Sequence, residues 1–190
     1  MQYLWMALMS LGILGADQLS KFWVMHDIAA SPCADAQACL LHTQTMQSIQ
    51  GISSEALAAL PYRVGAVDGV FCLVHVHNTG AAFSFLQGQH WLFYLVTAAL
   101  AAFIIWEFPK KKMPFTMFDR WMIVAIFAGG IGNVIDRIVL GYVVDMIHVD
   151  FMNFAVFNVA DCFITCGCIA LIVHLAFFNK EFWKDDKKKK

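Results

Sequence analysis

Two aspartates carry the clearest chemical suggestion in this chain. Asp145 follows the end of one apolar segment, and Asp161 lies in the first turn of the next. The connection between the segments is short, so both carboxylates emerge on the same face of whatever the segments cross. Like charges held close cannot both ionise, so one of such a pair keeps a proton. The ionised partner takes a proton from water. The protonated one polarises a scissile carbonyl and later protonates the departing amine. This is hydrolysis without a metal. Asn158 stands where it caps the helix carrying Asp161, and the positive end of that helix favours the charged form of Asp161. The expectation is that Asp161 is ionised at rest, within a titration shared by the pair. Spacing alone leaves a plainer reading open, in which both are solvated helix ends.

Other polar residues interrupt apolar runs, where an ionisable group costs about 2.5–3.5 kcal/mol on insertion scales. Asp17 and Lys21 are four apart and share a helix face. Asn133, Asp136 and Arg137 fall within one turn. Both sets suit a structural role as well as a functional one. His75, His77, His148 and Asp150 are candidates for a metal site with one of the aspartates, because H-x-H on a strand puts both rings on one face. Scattered interfacial histidines are the commoner case, and the expectation is no metal and no cofactor. His174 reads as a packed or hydrogen-bonded residue. The chain holds no G-x-S-x-G, H-E-x-x-H or phosphate-binding glycine loop. Without a C-x-x-C pair, the six cysteines do not suggest a zinc ribbon. Cys162, Cys166 and Cys168 read as small apolar residues. Cys33 and Cys39 either pair in an oxidising compartment or stay free.

The elements that must position these residues follow from composition. Of 190 residues, 60% are hydrophobic and 14% charged, with net charge −1 and mean hydropathy +0.64. Soluble domains carry about 25% charged residues. The numbers exclude a soluble globular domain, a disordered chain and a basic nucleic-acid-binding surface, and they imply a mainly α, polytopic membrane protein. Four segments approach the length of a membrane-spanning helix: Tyr3 to Val24, Trp91 to Phe108, Trp121 to Val144 and Val159 to Phe178. The first reads as a retained span, since no Lys or Arg precedes it and no A-x-A site follows. Ten of the 13 Lys and Arg lie in Pro109–Arg120 or after Phe178, which puts both termini in the cytoplasm and the aspartates at the outer face. The outward segment from His26 to His90 must carry structure of its own. Ser53–Leu60 reads as a short helix, Val70–His77 as a strand, Asn78-Thr79-Gly80 as a turn and Phe83–Leu86 as a returning strand. The whole, 1–190, reads as one membrane-embedded domain with an extracytoplasmic insertion at about 26–90 and a disordered basic tail at about 180–190.

Five motifs then occur in order: Asp17-Gln-Leu-Ser-Lys21, Asn78-Thr-Gly-Ala-Ala-Phe-Ser84, Gly129-Gly-Ile-Gly-Asn-Val-Ile-Asp-Arg137, Val143-Val-Asp145 and Phe157-Asn-Val-Ala-Asp161. Together they resemble the bacterial lipoprotein signal peptidase (signal peptidase II) family across most of the chain. The resemblance implies a four-helix membrane aspartyl protease of the bacterial inner membrane, with a small outward β-sheet. Such an enzyme removes signal peptides from diacylglyceryl-modified prolipoproteins just before the lipidated cysteine. It maps the catalytic pair onto Asp145 and Asp161. Substrate-binding or supporting roles fall to Asn78, Gly80, Asn133, Asp136, Arg137, Asn158, Asp17 and Lys21. The expected partners are prolipoprotein and membrane lipid, with no nucleic acid, and the chain is expected to act as a monomer. Ser31 to Asp68 matches no motif of the family, and Cys162 stands where the family commonly has Ser. Two competing readings are a proton-coupled transporter using Asp17, Asp136 and His174, which the lack of an inverted repeat disfavours, and an interaction subunit with degenerate carboxylates, which the intact motifs disfavour.

Overall fold

The computed structural model describes residues 1–28, 64–67, 70–78, 89–149, 151–152 and 154–184. The expected helix Ser53–Leu60, the returning strand Phe83–Leu86, the Cys33–Cys39 pairing, Gly80, Asp150 and the tail Lys187–Lys190 lie outside the described residues. The described elements are α1 (Gln2–Asp27), β1 (Val64–Val67), β2 (Phe71–Asn78), α2 (His90–Lys110), α3 (Met117–Val139), β3 (Val143–Val149), α4 (Val159–Val173) with a π-helical turn at His174–Phe178, and α5 (Lys180–Lys184). Among the described residues, three helices are long and apolar enough to cross a membrane: His90–Lys110, Met117–Val139 and Val159–Phe178. α1 rises about 39 Å over its 26 residues, but it carries Asp17, Lys21 and Asp27 and is not among them. The residues group into two compact units.

The first unit comprises Met1–Asp17, Gln89–Arg137 and Val159–Lys190. Half of the apolar window of α3 is buried, against 11% for the windows of α2 and α4, so α3 is the helix the unit is built around. Met6, Phe108, Ile123 and Val124 form one core cluster. Ile13, Ala125 and Ala128 form another, with Phe163 against it. Large apolar side chains such as Ile105, Ile172 and Phe177 face outward. In water an apolar surface of this extent is a liability; hydrocarbon lipid tails match it.

One end of this unit holds a set of buried polar groups, of which Asp119 is the most fully bonded. Asp119 Oδ2 accepts from the Thr116 N–H at 2.8 Å, the Thr116 hydroxyl at 2.9 Å and Asn179 Nδ2 at 2.9 Å. Its Oδ1 meets His174 Nδ1 at 2.7 Å, so His174 is the hydrogen-bonded residue that its position suggests. Glu107 is fully buried. Its Oε1 accepts from the Met113 N–H at 2.8 Å and faces Arg120 Nη2 at 3.8 Å.

The second unit comprises Gln18–Gly88 and Ile138–Asn158. Its three-stranded sheet has the order β1-β2-β3, antiparallel throughout, with a register shift in β2 between Leu73 and Val76. Val24, Ile28, Val144 and Met146 form its core. β2 matches the strand expected at Val70–His77. The third span, expected to run to Val144, ends earlier. α3 stops at Val139, Gly141 takes a positive φ of 81°, and Val143 starts β3. Gly leaves a helix readily in that conformation. An unbroken apolar run does not by itself separate a helix from a buried strand, and here β-branched Val143 and Val144 belong to the strand.

Candidate active site

Asp145 sits on β3 opposite Val76 of β2, and Asn78 lies opposite Val143. Residues two apart on a strand share a face, so Asn78 reaches the carboxylate diagonally. Asn78 Nδ2 donates to Asp145 Oδ2 at 2.8 Å. Asn158 Nδ2 donates to Asp145 Oδ1 at 2.7 Å. The backbone just before Asn158 is fixed by β-type bonds: the Phe157 N–H donates to Ile147 O at 3.1 Å, and the Ile147 N–H donates to Phe157 O at 2.8 Å. Asp145 is 2% exposed and Asn158 fully buried. Each carboxylate oxygen thus takes an amide N–H, and hydrogen bonds to the charged form oppose what burial costs it. A neutral carboxyl offers a hydroxyl on one side and fits two facing donors poorly.

In the first unit, Asp161 projects from the first turn of α4. Asn133, on α3, donates through Nδ2 to Asp161 Oδ1 at 2.8 Å. Arg137 Nη1 donates to the Asn133 carbonyl at 3.1 Å, and its guanidinium lies 3.9 Å over the ring of Phe93. Asp136 is 3% exposed on the same helix. Asp17, fully buried on α1, accepts the Ala160 N–H at 2.9 Å through Oδ1. A helix leaves its first N–H groups without intrahelical partners, and here a carboxylate from a distant part of the chain satisfies one of them beside Asp161. Lys21, which belongs to the second unit, is also buried.

Sequence reasoning named Asp17 but not its bond to Ala160, nor the space it demands. A Cβ on Gly132 would collide with Asp17 Oδ2 and lie 3.2 Å from its Cγ. The visible signal was the run Gly129-Gly130-Ile131-Gly132 ahead of Asn133. Reasoning from sequence also missed Tyr142, whose ring stacks on His77 at 3.8 Å between centroids. Of the candidate metal ligands His75, His77, His148 and Asp150, the last lies outside the described residues. His148 Nδ1 faces Cys72 Sγ at 3.9 Å, and among the described residues no group of three or more His, Cys, Asp or Glu is placed to hold an ion.

Comparison with known proteins supplies the family. A family model described as signal peptidase (SPase) II matches residues 9–177. The chain is 35% identical over 174 residues to a lipoprotein signal peptidase of Streptococcus pyogenes serotype M2, covering 92% of this chain and 90% of the relative. The corresponding protein of serotype M5 is 34% identical over the same extent. Among solved structures, a bacterial membrane enzyme at 2.3 Å resolution aligns with TM-score 0.66 and 23% identity over 97% of this chain and 91% of that one. A second, at 1.9 Å, aligns with TM-score 0.62 over 91% and 93%. At such identity these two speak for the fold alone, and the sequence match speaks for descent: the chain belongs to the signal peptidase II family.

Proposed function

We propose that this chain removes signal peptides from diacylglyceryl-modified prolipoproteins, cutting just before the lipidated cysteine, with Asp145 and Asp161 as a metal-free catalytic pair. The observation that carries the reading is the amide environment of the two carboxylates. Asn78 and Asn158 donate to Asp145, and Asn133 donates to Asp161. All five residues come from the family motifs, and Asn158 precedes Asp161 by three positions.

In this reading Asp145 is the ionised member, because donors face both of its oxygens, and the proton of the pair resides on Asp161. This reverses the assignment expected from the helix end alone. Asp145 takes a proton from water as the water oxygen attacks the scissile carbonyl carbon. Asp161 polarises the carbonyl oxygen with its proton. The peptide C–N bond then breaks as the pair delivers a proton to the amine. Asn78, Asn158 and Asn133 orient the carboxylates, and Asp17 anchors the start of α4. Asp136, Arg137 and Lys21 support this frame. Gly80 belongs to the substrate-side turn by the motif alone.

α1 is the fourth span, and both termini lie in the cytoplasm. The reaction takes place at the outer face of the bacterial inner membrane. The substrate's acyl chains lie against outward apolar side chains, each buried methylene contributing about 0.8 kcal/mol. The chain works as a monomer.

The test is cleavage of a diacylglyceryl-modified prolipoprotein peptide by purified protein in EDTA, with mass spectrometry of the products. The expected result is one cut before the lipidated cysteine, lost in Asp145→Asn and in Asp161→Asn. A well-folded wild type that leaves the peptide intact, or either variant cleaving at the wild-type rate, overturns the proposal.

A further inference from the structure

One end of the β2–β3 pair decides where Asn78 stands. Asn78 is the last residue of β2 and lies opposite Val143, the first of β3. The ends of an element fray first. Asn78 nonetheless needs a fixed register. A slip of one residue turns it to the other face of the sheet, away from the Asp145 oxygen that its amide reaches at 2.8 Å.

Two side-chain contacts cross this end diagonally, and they lean in opposite directions. Asn78 lies opposite Val143 but bonds Asp145, two residues further along β3. His77 lies opposite Val144 but stacks on Tyr142, two residues back, with centroids 3.8 Å and planes 18° apart. Diagonal neighbours on paired strands are within reach of aromatic side chains. Sliding β2 along β3 in one direction lengthens the first contact, and sliding it the other way lengthens the second. Together they brace the register from both sides. The His77 ring is held a second time, since its Nε2 lies 3.2 Å from Nε2 of His75, a hydrogen bond to a buried residue.

From these crossed contacts we propose that Tyr142 is a positioning residue for peptide cleavage, acting through His77 to hold the Asn78 amide on Asp145. The proposal rests on the reading of Asp145 as a member of the catalytic pair. Neighbouring residues of a strand point to opposite faces, so the stacked rings lie on the face of the sheet away from the amide and the carboxylate. Tyr142 therefore works on the register and not on the reacting atoms. Without the stack, only the Asn78 bond itself and the ladder hold this end of β2. Asn78 then spends part of its time off the carboxylate, and the charge on Asp145 loses one of its two amide donors. A change confined to the donor of a reacting group acts on kcat more than on KM.

The experiment uses full-length protein in detergent and steady-state cleavage of the lipidated peptide. The variants are Tyr142→Ala, Tyr142→Phe, Asn78→Ala and the double variant Tyr142→Ala/Asn78→Ala. Tyr142→Ala is expected to lower kcat roughly tenfold, as a partial misplacement of a catalytic group does, with KM held. Tyr142→Phe keeps the aromatic face and is expected to keep the wild-type kcat. Once Asn78 is already alanine, Tyr142→Ala is expected to cost nothing more, because its effect passes through that amide; a merely structural role gives additive losses. A second measurement needs no cleavage: hydrogen–deuterium exchange of the Phe71–Asn78 stretch, expected to speed up at its Asn78 end in Tyr142→Ala. His77→Leu removes the same stack from the other strand and is expected to repeat both results, which covers a Tyr142→Ala that fails to fold. Wild-type kcat in Tyr142→Ala, full additivity with Asn78→Ala, Tyr142→Phe as damaging as Tyr142→Ala, or unchanged exchange at the end of β2 overturns the proposal. A wild type that cleaves nothing overturns the proposed function instead, and the exchange result still decides whether Tyr142 braces Asn78.

Discussion

Gly130 and Gly132 stand two apart in one motif, and the geometry assigns them opposite sensitivities. A Cβ on Gly132 would run into Asp17 Oδ2, 3.2 Å from Asp17 Cγ and 3.5 Å from Ala160 Cβ. Asp17 has nowhere to retreat: it is fully buried, and its other oxygen holds the Ala160 N–H at 2.9 Å. A Cβ on Gly130 would meet only Thr97 Oγ1 at 3.4 Å and Cγ2 at 3.7 Å, close to ordinary contact. For Gly132→Ala the overpacking strain is about 1–3 kcal/mol. Displacing Asp17 from Ala160 loses a hydrogen bond to a charged group, about 1.5–3 kcal/mol. The two are coupled and do not add fully, so about 3 kcal/mol is expected. For a chain of this size that lowers the melting temperature by roughly 5–15 °C. The shift reaches Ala160, the residue before Asp161. Misplacing a reacting group by about 1 Å costs on the order of a hundredfold in rate. The expectation for Gly132→Ala is therefore a kcat at least tenfold down in the cleavage assay, with a smaller change in KM. Gly130→Ala stays within twofold of wild type. The measurements are thermal unfolding in detergent and steady-state cleavage of the lipidated peptide. Gly132→Ala with wild-type melting and kcat, or Gly130→Ala as damaging as Gly132→Ala, refutes the reasoning.

Asn78→Ala and Asn158→Ala each remove one donor from Asp145, worth about 1.5–3 kcal/mol. Each should lower kcat roughly 10- to 100-fold, and the double variant should lose less than the product of the two because the donors share one carboxylate. Asp119→Ala leaves His174, Thr116 and Asn179 without their common acceptor; it should destabilise the fold by about 3–5 kcal/mol, read as a lower melting temperature, while kcat of the remaining folded enzyme holds. Tyr3→Phe removes only the 2.9 Å bond from the Tyr3 hydroxyl to Phe108 O, so it should cost about 0.5–1.5 kcal/mol and leave cleavage unchanged. Gly167→Leu brings a large side chain where a Cβ already approaches Ile126 Cγ1 to 2.8 Å; loss of folded protein on size-exclusion chromatography is the expected outcome.

What the sequence discloses depends on whether the signal is local. The three apolar helices are legible because each is a long run of one kind of residue, and β2 because Val alternates with His up to a turn motif. β3 is not, since Val143-Val144 continues the apolar run of α3 without a break; only Gly141 marks the change, and a glycine near a helix end has several meanings. The candidate aspartates and asparagines were visible as motifs, but their partners were not. Nothing in the spacing of Asp17 and Ala160, 143 positions apart, announces a hydrogen bond. The expected charge state of Asp161 came from the helix end, which is local information. The amides on Asp145 come from β2 and from the segment ahead of α4, and these meet Asp145 only once the sheet has formed.

The glycines show why a membrane setting selects such residues. Between helices surrounded by lipid there is no hydrophobic drive to associate, since the solvent is as apolar as leucine; contact must come from close packing and a few polar bonds. α3 and α4 meet this need at Gly129, where a Cβ would come within 2.6 Å of Ala160 O and 2.9 Å of Ile164 Cγ1, and at Gly167, against Ile126. The absent side chains let backbone approach backbone. Only at such a separation does a side chain as short as Asn133 bridge from one helix to Asp161 on the other at 2.8 Å. A longer donor such as Gln or Arg would cross a wider gap, but with more rotatable bonds to fix and a looser hold on the carboxylate. Small residues on the helix faces and a short amide at the site are two parts of one solution. The same close packing that replaces the hydrophobic effect in lipid brings Asp161 within reach of Asn133.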